Sequence, residues 1–226
     1  MESVRRPGTP GAPSVAQRAR AGATGRREQA IAESSPVRQR PGEPNSAGAM
    51  MRTMATTRLV AVEDASLLAE LLQLDREFLA PWEPIRPDDY FTADGQRRAI
   101  EEALERYERE TGVPHVILEH GHIVGRVTLS NIVRGPFQSC NLGYWVGSAH
   151  NGRGLATAAV ADMMRVAFLE LGLHRIEAGT LVDNIASQRV LERNGFVRFG
   201  VAPGYLNIAG RWQDHAMYQV LNRSVS

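Results

Sequence analysis

The sequence predicts a mixed α/β domain, and three observations carry that expectation. Helical and strand periodicities alternate in the order β-α-α-β-β-β-α-β-α-β-β. Three strand patterns follow one another between residues 115 and 147, joined by turn residues. A glycine-bearing loop, HNGRG (150–154), then opens the third helix.

The elements follow in order. TRLVAV (57–62) reads as the first strand. Asp64 caps a helix in which Leu67, Leu68, Leu71, Leu72, Leu74 and Phe78 form a wide apolar stripe, ending before Pro81. The segment PWEPIRP carries three prolines in seven residues, which excludes regular structure. A second helix spans about Asp94–Glu110, with Glu and Arg four apart, and Gly112 and Pro114 stop it. HVILE (115–119), a turn over 119–122 and IVGRVTLSNIV (123–133) predict a hairpin, and SCNLGYWVG (139–147) a third strand. After the glycine loop, Leu155, Ala159, Met163 and Val166 share one helical face, ending near Gly172. RIEAGTLV (175–182) is a strand, Asp183 or Asn184 caps a short helix through Arg193, and Gly195 supplies its left-handed end. Strands at about Phe196–Ile208 and Arg211–Leu221 meet at Ala209-Gly210.

Composition divides the 226 residues into two unlike parts. Residues 1–49 hold eight Arg, four Glu, six of the 12 Pro and no aromatic, a net +4; the rest carry −3. A segment so poor in apolar side chains cannot offset its chain entropy, so residues 1–54 are expected to be a disordered extension. It reads as a start-site artefact ahead of Met50, Met51 or Met54, as a plain extension, or as an arginine arm for ribosomal RNA. Residues 55–222 suit one domain with a core, and 223–226 a short tail. No apolar run reaches membrane-spanning length, and the first residues lack the apolar core of a secretory signal. The lone Cys140 excludes an internal disulfide and a cysteine-rich zinc site, and fits a reducing cytoplasm. The six histidines show no metal-ligand spacing, and His215 is the one that suits lining a site. A negative folded region argues against a broad nucleic-acid surface. Every basic residue is arginine, so the chain has no side-chain ammonium of its own.

The stretch GYWVGSAHNGRGLATAAV (143–160) carries the chemistry. A strand, a glycine loop and a helix start make an anion site, because Gly152 and Gly154 let the backbone approach a ligand. The amides from about Gly154 to Thr157, aided by the helix dipole, suit a pyrophosphate. The same turn could also serve structure alone. A dinucleotide loop would need a third spaced glycine after an opening βαβ unit, and a Walker loop would need a lysine.

SAHNGRGLA (148–156) resembles motif A of the GNAT acetyltransferases, Gln/Arg-x-x-Gly-x-Gly/Ala: Gly154 and Ala156 match, and Asn151 stands where Gln or Arg is usual. LVDNIASQRVLERNGF (181–196) resembles the Asn-x-x-Ser segment of the RimJ/RimL branch. FLAPWEP (78–84), NIVRGPFQSCNLGYWVG (131–147) and GRWQDH (210–215) look like RimJ-type segments in the same order, so the resemblance covers about residues 55–222. It implies a GNAT fold, a central twisted and mostly antiparallel sheet of about seven strands flanked by about four helices. It also implies acetyl-CoA as donor, no metal, and direct transfer to an amine in a ternary complex. The implied acceptor is a protein N-terminus, the alanine of ribosomal protein S5 in RimJ-type enzymes. The chain would act in the cytoplasm as a monomer or dimer.

The resemblance assigns the diphosphate to Asn151, Gly152, Arg153, Gly154, Leu155, Ala156 and Thr157, with Arg153 adding charge or simply solvated. The strand 143–147 would splay from its neighbour and pair with the pantetheine, an amide near Trp145–Val146 polarising the thioester. Asn184 would cap its helix and reach the pantetheine, and Ser187, on the same helical face, would protonate the leaving thiolate or serve only as a capping hydroxyl. RimJ/RimL proteins often place an acid before a Tyr-Leu pair in the closing strands; here that slot is Gly204, before Tyr205-Leu206. Glu83 and then Asp214 are the substitute bases, each otherwise a surface or turn carboxylate. Trp82 and Tyr90 would wall the acceptor cleft, with Trp82 also readable as core. Two rival functions keep the fold: acetylation of a small amine, a polycation if Glu83, Asp88 and Asp89 closed an acidic pocket, or CoA binding without catalysis.

Overall fold

The computed structural model describes residues 56–223, and the extension expected over 1–54 lies outside the described residues. One seven-stranded sheet organises the domain in the order β1-β2-β3-β4-β5-β7-β6. The strands are β1 (Thr56–Leu59), β2 (Val113–Glu119), β3 (His122–Val133), β4 (Ser139–Val146), β5 (Arg175–Leu181), β6 (Val197–Ile208) and β7 (Arg211–Leu221). Every neighbouring pair is antiparallel except β4 and β5. The helices are α1 (Ala65–Leu74), α2 (Arg76–Leu79), α3 (Ala93–Glu108), α4 (Leu155–Arg165) and α5 (Ile185–Arg193).

Both tight hairpins have turns fixed by backbone conformation. His120 and Gly121 join β2 to β3, and Ala209 and Gly210 join β6 to β7, with φ of 50°, 85°, 49° and 77°. Two successive positive φ values match the twist of an antiparallel pair, so these turns set the pairing at the hairpin ends, Glu119 opposite His122 and Ile208 opposite Arg211.

The helix expected to run from Asp64 to Pro81 is two helices. Asp75 leaves helical geometry at φ −101° and ψ 10°, and its buried carboxylate accepts bonds from Ser148 N–H (2.9 Å) and Ser148 Oγ (2.5 Å). The wide apolar stripe narrows accordingly. Ala65, Leu68, Ala69 and Leu72 are buried, whereas Leu67, Leu74 and Phe78 are exposed. Asp64 stands at the cap position of α1 without capping it. Its carboxylate binds Arg58 through two 2.7 Å contacts and accepts the Ala61 amide instead. Thr92 is the cap of α3, accepting from Gly95 N–H at 3.0 Å. The helix expected to reach Gly172 is α-helical through Arg165 and closes in a wider π-type turn, Val166–Glu170.

One core cluster joins Val60, Ala65, Leu68, Ile100 and Val116, with the flank of Trp145 against it. Cys140 is buried in β4, and burial pushes its thiol up to about 12, which keeps it protonated. His115 on β2 lies largely buried, its Nδ1 3.2 Å from Thr57 Oγ1. Burial holds its pKa down to about 4, with Asp162 opposing and Arg58 adding to the effect, against 6.5 in an unfolded chain. Between those values the unfolded chain binds the proton and the folded one does not, so stability falls as pH falls. The unfolding free energy should drop by about 2 kcal/mol from pH 7 to pH 5 through this histidine alone. Denaturant titrations at both values check this, and His115→Gln should remove that part of the slope. An equal fall in the variant would assign the effect elsewhere.

Candidate active site

The position of the site follows from how β4 and β5 part. They pair at Ser139–Arg175, Cys140–Ile176 and Asn141–Glu177, and beyond Asn141 no residue of β5 pairs with β4. The later residues of β4 stay on β3, with Tyr144 opposite Val127 and Trp145 opposite Arg126, while β5 follows β7. The sheet therefore opens into a wedge, with β4 backbone groups facing away from β3 lacking a strand partner.

A groove of about 540 Å³ runs from this wedge to the glycine loop. Trp145, Val146, Asn151, Gly152, Gly154, Leu155, Ala156, Thr157 and Asn184, all expected there, line it. Gly152 and Gly154 both take the left-handed conformation, with φ of 77° and 81°. The first α4 ladder bond runs from Ala158 N–H to Gly154 C=O, so the amides of Leu155, Ala156 and Thr157 precede the ladder and are free to donate. Such a helix start, reached by a glycine backbone, fits a diphosphate.

Arg153 does not line the groove. Its guanidinium turns back to the buried Glu119, 3.1 Å from both carboxylate oxygens, and His150 Nδ1 lies 2.7 Å from Glu119 Oε2. These partners hold the Glu119 carboxyl below its usual range, His150 contributing most. The cluster ties the glycine loop to the end of β2. Asp75 ties its start to the end of α1 through Ser148. The cations on the groove wall are Arg189 and Arg193 of α5, to which the sequence analysis assigned no role.

A second hollow, about 710 Å³, lies over β3 and β4 beneath the loop joining α2 to α3. Glu83, Trp82 and Tyr90 line it, as does His215, and Tyr90 lies beneath Arg86, 4.8 Å from guanidinium carbon to ring centre. Leu79, Trp82, Tyr144, Trp145, Asn184 and Ser187 border both hollows. Here Asn184 Oδ1 accepts Ser187 N–H at 3.0 Å, as a helix cap. Tyr144 Oη lies 2.9 Å from Ser187 Oγ and 3.2 Å from Ser187 C=O. Burial pushes the Tyr144 phenol up to about 12, the Ser187 bond opposing. Tyr144 was missed because a tyrosine inside a strand pattern looks like any half-buried sheet residue.

The two substitute carboxylates fare differently. Glu83 is half-buried in the second hollow, and burial raises its carboxyl above the ordinary range although Arg86 and Arg126 pull it down. Asp214 is exposed and lines neither hollow; its Oδ1 accepts Gly204 N–H at 2.8 Å. That bond sits in a bulge between Ala202 and Leu206, where Gly204 has φ 53°. The glycine in the expected acid slot is thus a backbone requirement. No acidic pocket forms around Glu83, because Asp88 pairs with Arg76 at 2.5 Å and Asp89 with Arg98 at 2.7 Å. Among the described residues no cluster of three or more His, Cys, Asp or Glu is placed to hold a metal, and no helix is long and apolar enough to cross a membrane.

A helix start with unpaired amides at a split sheet, opening onto a second cleft, suits a transferase that holds a phosphate-bearing donor and an acceptor in separate places. The chain belongs to the GNAT acetyltransferases: the family model described as Acetyltransferase (GNAT) domain matches residues 56–197. It is 40% identical over 167 residues to the probable N-acetyltransferase YjcK of Bacillus subtilis, covering 73% of this chain and 92% of that one. It is 33% identical over 162 residues to the ribosomal protein uS5-alanine N-acetyltransferase of Escherichia coli, covering 71% and 84%. The structure of Mycobacterium smegmatis RimJ in complex with CoA-disulfide superposes with a TM-score of 0.73 at 30% identity, covering 76% of this chain and 83% of that one. The seven-stranded, mostly antiparallel sheet flanked by helices is the fold that the resemblance implied.

Proposed function

We propose that the chain is an acetyl-CoA-dependent N-acetyltransferase acting on the N-terminal α-amine of a protein, with the alanine of ribosomal protein S5 as its candidate acceptor. One observation carries the reading: the phosphate-suited groove and the second cleft meet at Tyr144, Trp145, Asn184 and Ser187. The uS5-alanine specificity in the name of the Escherichia coli relative and the CoA-disulfide of the mycobacterial structure agree with it. Such an acceptor would make the cytoplasm the place of action. The mixed charge of the second cleft, with four arginines on its walls, disfavours a polycationic small amine.

Acetyl-CoA supplies an activated thioester. The residues of this chain do the rest. The loop and α4 amides hold the diphosphate, with Arg189 and Arg193 adding charge. The parted edge of β4 pairs with the pantetheine arm, and an amide near Trp145–Val146 faces the thioester oxygen. Glu83, directly or through water, takes the proton from the attacking amine. Tyr144, hydrogen-bonded to Ser187, returns a proton to the departing sulfur.

The test is an assay of purified protein with acetyl-CoA and a peptide beginning with alanine, read by CoA thiol release and by mass gain on the α-amine. Acetylated peptide is the expected outcome. Turnover of small amines with none on any peptide would overturn the acceptor assignment. In the same assay Glu83→Gln should lower kcat/KM about 10- to 100-fold at pH 7. The deficit should shrink towards pH 9, because an α-amine with pKa near 8 then loses its proton unaided. A deficit independent of pH would remove Glu83 from the role.

A further inference from the structure

The second cleft holds more positive charge than its own carboxylates neutralise. Arg86, Arg98, Arg106 and Arg126 line it, with Glu83, Asp89 and Glu102. Asp89 is taken by Arg98, and Glu102 lies 4.0 Å from Arg106. Arg86 rests on the Tyr90 ring, and Arg126 rises from β3 into the cleft. Among the described residues neither forms an ion pair with a carboxylate. Glu83 is the carboxylate whose field reaches both, and it cannot neutralise two guanidinium groups.

The location of Arg126 gives that excess a use. It stands directly opposite Trp145 in the β3–β4 ladder, and Trp145 borders both hollows. Residues facing each other in an antiparallel pair project to the same side of the sheet. Arg126, Thr128 and Ser130 alternate along β3 and all line the cleft. The guanidinium therefore belongs to the first stretch of cleft beyond the junction. A half-buried guanidinium without a carboxylate is a costly arrangement unless a guest supplies the anion. Its planar fork matches a carboxylate with two parallel bonds.

Building on the peptide-acceptor reading, we infer that Arg126, assisted by Arg86, forms a subsite for an acidic side chain at the second to fourth residue of the acceptor peptide. The specificity of the cleft is then set by a carboxylate close behind the amine as well as by the first residue. Glu83 forms no ion pair among the described residues, which keeps its carboxylate open to receive the amine proton.

The experiment compares peptides that share an N-terminal alanine and carry either Glu or Gln at position two, three or four. The expected result is a kcat/KM about tenfold or more higher for the Glu form at one position. Raised ionic strength should shrink the difference. Arg126→Gln should bring the Glu-to-Gln ratio close to one, while Arg126→Lys should keep part of it. Acetyl-CoA binding by the variants, measured separately, confirms that they remain folded. Equal rates for Glu and Gln forms at all three positions in the wild-type protein would overturn the subsite and leave N-terminal acetylation standing. An unchanged ratio in Arg126→Gln would overturn the assignment to this residue. Absence of turnover on every peptide would overturn the peptide reading itself, and the subsite with it.

Discussion

Gly154→Glu should abolish useful acetyl-CoA binding while the domain stays folded. Gly154 precedes the first residue of α4 with φ 81° and ψ 5°, a conformation costing any other residue about 1 kcal/mol. A Cβ there meets nothing within 4 Å, so the side chain has room and the core is untouched. A carboxylate beside a helix N-terminus is itself favourable to the helix. It does, however, place a negative charge where the amides of Leu155, Ala156 and Thr157 would receive phosphate. The KM for acetyl-CoA should rise about 100-fold or more, with melting displaced by only a few degrees. Gly154→Ala separates strain from charge and should cost only a few-fold. A KM within about threefold of the wild type in Gly154→Glu would remove the loop from the phosphate site.

Tyr144→Phe and Ser187→Ala should behave as damage to one unit. The two oxygens are 2.9 Å apart at the meeting point of the hollows, and the phenol is the stronger acid of the pair. Tyr144→Phe should lower kcat about 100-fold, within the usual range for a positioned proton donor. Ser187→Ala should cost less, about tenfold, because the phenol remains. The double variant should be no worse than about the poorer single one, since the second change removes a group already disconnected. Single-turnover rates with saturating acetyl-CoA check all three. Losses that multiply would mean that the two residues act separately.

The succession of strands along the chain was legible because period-two patterns were bounded by strong turn residues, as at His120-Gly121 and Ala209-Gly210, whereas their order in the sheet was not. The break at Asp75 was invisible, since its cause is Ser148, far away in sequence. The wide leucine stripe of the first helix misled for a related reason. Which leucines are buried depends on where α3 and the sheet lie, and periodicity gives only the face. Within the site, the glycine loop was readable because its chemistry is local: positive φ and free amides belong to consecutive residues. Tyr144, Arg126, Arg189 and Arg193 gain their meaning only when separate elements meet, so no local pattern marks them. Arg153 shows the converse, a charge inside the motif that is turned away by Glu119 on another strand.

The short contact between β4 and β5 has a consequence for the folded protein as well as for its chemistry. Three residue pairs join the two halves of the sheet at that seam, and a guest chain lying in the gap would supply the missing stitches. A donor that binds the native but not the unfolded chain adds its binding free energy to folding. The durability of this domain would then follow the cellular supply of acetyl donor, scarcity leaving it both idle and easier to unravel.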